Sequence, residues 1–431
     1  MKKYRKIILL VFVLLIVITS FYLGKNFGKE EVYLDERSKQ IKQENTLSMM
    51  LETEAGSGNY EMTTASSWPT EGYVFNSELS KCENGGELSW DDVNKKVLMS
   101  GNVSDKCYVY FDVYAPPALA EYVISQYNGV QGNNNIYFHD NSLANGAGDN
   151  SYRYSGSSDT TKNYVCFGSN ASSCPKDNLY RIIGVFSGQV KLIKATLATS
   201  DLLGTNGPYY GGNKYGWTSL SSCSTDVAYN NVNEIISLAN KNIIAAPGIS
   251  SGAGCNKWKY SELNKLNLNT NYINNIGALW ASKIDNTEWI ISSISGSLGN
   301  FSSVNNIYSE EINSPDETYG PNDGISKIGL MYVSDYGYAA IPDAWTTSLS
   351  SYSNSAITAL NWMYIGDTEW TISRSSNDTG SSSSIFSTGY LNTSDTQSNQ
   401  ESPYVRPTFY LNPDVSYRSG YGTKSDPIII N

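Results

Sequence analysis

Among 431 residues the chain carries one histidine, His139, and that count limits its chemistry. A Ser-His-Asp or Cys-His nucleophile would have to use His139 itself, and a multi-histidine zinc site is excluded. His139 stands in "NNIYFHDN", a polar stretch that reads as a loop, so a satisfied or exposed loop histidine is expected there. Carboxylates gather in "YSEEINSPDETYGPNDG", residues 308–324. Calcium takes several hard oxygen ligands, and Asp316, Glu317 and Asp323 are the candidate ligands. The run lacks EF-hand spacing and reads first as a solvated acidic loop, so calcium is the one cofactor it could take and none is required. A glycosidase needs two carboxylates flanking a cleft, and 41 acidic residues supply such pairs without pointing to any. "GTNGPYYGG" lacks the phosphate-loop pattern. Its Tyr209 and Tyr210, with Trp345 in "IPDAWTTS", are the candidate ligand-binding aromatics; they sit among turn residues and could stack on a sugar ring or enter a protein partner. Loop packing is the plainer reading of all three.

Arg406 lies in "VRPTFYLNPDV", residues 405–415, a mostly apolar strand. Pro407 follows at once and has no N–H for a sheet ladder, which marks an edge or a bulge. The guanidinium is read as structural, its fork bridging the strand to a neighbouring loop, in preference to a ligand-binding Arg.

Six cysteines remain: Cys82, Cys107, Cys166, Cys174, Cys223 and Cys255. An even count in an exported chain permits disulfides, and six allow about fifteen pairings that sequence does not choose between. Sequential pairing is preferred, because each couple then lies within one apparent structural unit. No C-x-x-C occurs, and the spacings do not resemble a zinc ribbon.

These groups need elements to position them. Lys2, Lys3, Arg5 and Lys6 precede an uncharged run from Ile7 to Gly24, about the length a helix needs to span a bilayer. The positive flank predicts a single-pass membrane protein with everything after Gly24 outside the cell. A cleaved signal peptide is the rival, but no A-x-A-like site follows the run. The net charge of −11 argues against nucleic acid as a partner. Residues 1–28 are thus read as cytoplasmic tip and transmembrane anchor, and 29–60 as a spacer that could be helical. Residues 61–117 read as a small disulfide-stapled β module, with short strand-like runs such as "KCYVYFDVY" closed by "APP". Residues 118–431 form a larger α+β domain. "ALAEYVISQYN" has helical spacing there, and so does "WKYSELNKLNLNTNYINNI". The best hairpin is Tyr180 to Phe186 and Gln189 to Ile193 around Ser187-Gly188. A short echo follows: "IDNTEWIIS" at 284–292 and "IGDTEWTIS" at 365–373 both place Trp after Thr-Glu and continue as a strand.

"CPKDNLYRIIGVFSGQVKLIK", "KIGLMYVSDYGYA", "STGYLNT" and "VRPTFYLNPDV…GTKSDPIIIN" together resemble a group of surface proteins of low-GC Gram-positive and related gut bacteria. Over residues 120–431 the resemblance implies a C-type-lectin-like fold of the formylglycine-generating-enzyme-like branch: a mixed domain rich in antiparallel strands and long loops. The enzymes of that branch use a late cysteine pair, and here no cysteine follows Cys255, so oxidase activity is not expected. The Glu-Pro-Asn and Trp-Asn-Asp motifs of calcium-dependent lectins are absent as well. The fold class expected is therefore α+β, with an N-terminal transmembrane helix, a small all-β module and a lectin-like domain. The expected function is non-enzymatic: a membrane-anchored, extracellular binding or adhesion protein recognising an envelope or host glycan or protein. An envelope glycan-acting enzyme or a structural surface component is the alternative.

Overall fold

The computed structural model describes residues 32–33, 47–101, 105–171, 173–207, 258, 261–294, 302–313, 325–375, 381–396 and 403–431. The chain divides into two compact units, Met1–Ala115 and Pro116–Asn431.

In the first unit, four strands form one sheet in the order Tyr60–Met62, Leu47–Glu52, Cys107–Val113, Tyr73–Cys82. Leu47–Glu52 runs parallel to Cys107–Val113, pairing Met49 with Val109. This strand falls in the segment expected as a spacer, which is corrected: Met49 is buried and joins the core. That core is small and aromatic, built on Met49, Trp68, Val97, Val109 and Phe111, with Trp90 packed edge-on against Phe111. Cys82 and Cys107 face each other in the ladder and form a disulfide.

The second unit is organised on an antiparallel sheet in the order Thr408–Tyr410, Gln189–Lys194, Leu179–Phe186, Ser151–Tyr154, Ile136–His139; Tyr164–Cys166 also pairs with Leu179–Phe186. Leu179–Phe186 is buried on both faces, as a central strand of apolar residues must be. The expected hairpin is present. Ser187 and Gly188 both take positive φ, the backbone of a two-residue turn that matches strand twist. Gly184 is required by space, since a Cβ there would strike the Tyr152 carbonyl of the adjoining strand. A second sheet runs Ser293–Ile294, Glu369–Ser375, Ser381–Ile385, Leu391–Thr396. Among the described residues helices are few and short. Leu119–Tyr127 has nine residues, Leu263–Tyr272 is a ten-residue π-helical segment, and Val333–Tyr338 has six.

The expected fold class and location are corrected by this architecture. The protein consists of mixed sheets with few helices, and no helix among the described residues is long and apolar enough to cross a membrane. The run 7–24, on which a single-pass anchor was expected, lies outside the described residues.

Candidate functional site

The site grows from a lysine inside a sheet. Gln189–Lys194 lies between two strands, and its alternation puts Lys191 on the same face as Ile193. Lys191 is wholly buried, with Nζ 2.6 Å from Asp335 Oδ2. The ammonium lies 4.3 Å from the ring centre of Tyr332 and 5.3 Å from that of Tyr410. Burial pulls its pKa down, and the adjacent Asp335 carboxylate opposes that only in part.

Asp335 sits in the first turn of Val333–Tyr338. Its Oδ2 also accepts the Tyr332 amide at 2.9 Å, and its Oδ1 lies 3.7 Å from Arg153 Nη1. Arg153, on the Ser151–Tyr154 strand, donates from Nη2 to Asp149 at 2.6 Å and from Nε to Ser151 Oγ at 2.8 Å. Its guanidinium lies 4.6 Å from the Phe186 ring centre. Asp149 accepts the Tyr308 hydroxyl at 2.9 Å. Burial pushes the Asp149 carboxyl up, but Arg153 and Ser151 outweigh it and hold the group well below the usual carboxylate range. Two cations and two carboxylates thus cancel in a low-dielectric interior, as buried charges must.

These four residues help line a cleft of about 130 Å³ whose walls include Phe186, Tyr308, Tyr332 and Tyr410. Glu288, on the short Thr287–Glu288 strand, adds an exposed carboxylate to the lining. Glu288 and Glu369 are the two glutamates of the Thr-Glu-Trp echo, and their fates differ. Trp289 and Trp370 are both buried behind them, but Glu369 turns inward to Arg406 while Glu288 faces solvent.

The residues expected to act are placed as follows. Trp345 is not available to a ligand. It is fully buried, donates Nε1–H to the Ala340 carbonyl at 2.9 Å and packs against His139, Tyr137 and Tyr338, so its candidate binding role is corrected to core packing. Tyr209, Tyr210, Asp316, Glu317 and Asp323 lie outside the described residues, as do Cys223 and Cys255. Cys82 pairs with Cys107 and Cys166 with Cys174. Cys82, Asp105 and Cys107 gather closely enough for a metal, but both sulfurs are spent in the disulfide and Asp105 accepts the amides of Asn84 and Gly86. Arg406 is buried, with its fork on Glu369 and Nη2 donating to the Met363 carbonyl at 2.8 Å. Pro407 stands just before the edge strand Thr408–Tyr410, and its carbonyl accepts from Lys194.

His139 is neither exposed nor in a loop. It ends the Ile136–His139 strand, fully buried, because pairing with Ser151–Tyr154 carries the polar stretch into the sheet. Nδ1 accepts the Ala147 amide at 3.1 Å, which assigns the proton to Nε2. Burial, with Arg153 nearby, holds its pKa well below 6.5. The unfolded chain takes up a proton below that pH and the folded chain does not, so this group lowers stability as pH falls. Denaturation midpoints should therefore fall faster on acidification in the wild type than in His139→Gln, by at most about 1.4 kcal/mol for each pH unit below the free histidine value. A pH-independent difference would show that His139 charges within the fold.

The Lys191–Asp335 and Arg153–Asp149 pairs were not foreseen. One signal was present: Lys191 shares a strand face with Ile193 in "GQVKLIK", an ammonium where the pattern asks for an apolar residue. Comparison with family models, with curated proteins and with solved structures finds no match.

Proposed function

We propose that the Pro116–Asn431 unit is a binding module that takes a hydroxyl-rich group, the end of a glycan or a polar segment of a protein, into the cleft beside Glu288. The observation that carries this is the lining: tyrosine and phenylalanine walls around a few fixed polar groups, the composition of a recognition pocket. The recessed carboxylates favour binding over catalysis. Asp149 is engaged by Arg153, Ser151 and Tyr308, and Asp335 by Lys191 and the Tyr332 amide, so neither is poised to donate a proton. The two disulfides among the described residues suit a chain that folds where thiols oxidise.

The oxidised full-length chain, screened on glycan and peptide arrays with calcium and with chelator, is expected to retain a small set of related ligands. Glu288→Gln removes only an exposed carboxylate, so folding should be unchanged while affinity for those ligands falls about tenfold, the scale of one charged hydrogen bond. Equal affinity in the variant would remove the cleft from the binding site.

A further inference from the structure

We propose that Lys191 and Asp335 condense into an intramolecular isopeptide bond, cross-linking the central sheet to the Val333–Tyr338 helix. Four observations converge on this pair. The amine and the carboxyl are 2.6 Å apart, and the side chains are 0% and 2% exposed. Each is held before any reaction. Lys191 is fixed by a strand laddered on both sides, and Asp335 by the Tyr332 amide on Oδ2. Phe186, Trp289, Tyr332 and Tyr410 surround the ammonium with ring centres 4.3 to 5.6 Å away. Arg153 Nη1 stands 3.7 Å from Asp335 Oδ1, the oxygen that becomes negative when the carboxyl carbon is attacked.

The step balances without any co-reactant. Lys191 passes one proton from Nζ to Oδ2, leaving a neutral amine and a carboxylic acid. The nitrogen lone pair attacks Cγ, and the charge that develops on Oδ1 is met by the Arg153 guanidinium. A second Nζ proton moves to Oδ2, the Cγ–Oδ2 bond breaks, and Oδ2 leaves as water. One proton remains on Nζ, now an amide nitrogen. Fixing both groups in contact supplies the large effective concentration that intramolecular reactions enjoy. Burial favours the neutral amine that must attack, and it makes the charged pair expensive to keep. The pair lies on the cleft, which gives the released water a way out. Arg153 and Asp149 are equally close but cannot follow the same course, because a guanidinium stays protonated and is no nucleophile.

This inference does not rest on the binding reading. It is tested on the full chain, reduced and denatured, by intact mass and by tandem mass spectrometry of its proteolytic peptides. The expected result is a chain lighter than its sequence by one water beyond any disulfide difference, and a branched peptide joining Lys191 to Asp335. Lys191→Arg and Asp335→Ala should each recover the missing mass and lose the branch. Linear peptides spanning Lys191 and Asp335 at full mass in the wild type would overturn the proposal. So would a missing water mapped to any other pair. Neither readout on the wild type depends on whether the variants fold.

Discussion

Arg406→Ala is expected to destabilise the second unit by about 3–5 kcal/mol, the cost of breaking a buried ion pair from one side. The guanidinium and its partner Glu369 are each 2% exposed. Nη2 donates to Glu369 Oε1 at 3.0 Å and to the Met363 carbonyl at 2.8 Å, and Nε donates to Glu369 Oε2. Truncation leaves a carboxylate in the interior with no cation. Burial already pushes the Glu369 carboxyl up to about 7, against the pull of Arg406. Its folded pKa lies above its unfolded one, so its contribution to stability is present below the unfolded pKa and is lost as pH rises through 7. Without Arg406 the folded pKa rises further. The variant's deficit should therefore be larger at pH 8 than at pH 5. The double variant Glu369→Leu with Arg406→Met should recover most of the loss, since apolar residues of similar volume need no partner. Urea denaturation of the single and double variants at both pH values is the measurement. A single-variant loss below about 1 kcal/mol would class the pair with exposed salt bridges.

The burial of Arg406 could be anticipated because its neighbours in the chain are apolar and Pro407 excludes a central ladder position. The hairpin at Ser187-Gly188 was readable for a similar reason: turn chemistry is local. What was not readable depends on residues far apart in sequence. Lys191 and Asp335 are 144 residues apart, and nothing in "VSDYGY" announces a partner. His139 was misread because its Asn and Asp neighbours signal a turn, whereas its burial is decided by the strand it pairs with. Trp345 was misread likewise. Pro342 and Asp343 make its setting look exposed, yet a short 3₁₀ turn folds the indole back onto Ala340. The Thr-Glu-Trp echo reads as two strands that continue past the Trp, and only the second copy does so: Glu369–Ser375 runs on, whereas Thr287–Glu288 stops before Trp289. The echo could not tell that one glutamate would meet an arginine and the other solvent. The membrane span rested on residues that the structure does not describe, and the helices it does describe are too short and polar to replace it.

Removing the Cys82–Cys107 disulfide should unfold the first unit selectively. The bond closes a loop of 25 residues, and cross-linking a loop of that length restricts the unfolded chain by about 3 kcal/mol. The unit has little else to draw on. Among the described residues its core cluster has five buried members, and a small core rarely yields more than a few kcal/mol of net stability. The native geometry does not depend on the bond, because Cys82 and Cys107 are ladder partners and Asp105 fixes the adjoining turn through Asn84 and Gly86. The loss therefore falls on the unfolded state, not on strain in the folded one. In the second unit, Cys166–Cys174 closes only 8 residues over a far larger core, so its removal should matter less. In Cys82→Ala with Cys107→Ala, the emission of Trp68 and Trp90 should change at lower denaturant than the tryptophans buried around Trp289 and Trp362. The second transition should stay where it is in the wild type. Two transitions that shift together would mean that the units unfold as one, and an unshifted first transition would mean that the aromatic cluster around Phe111 holds the unit without its staple.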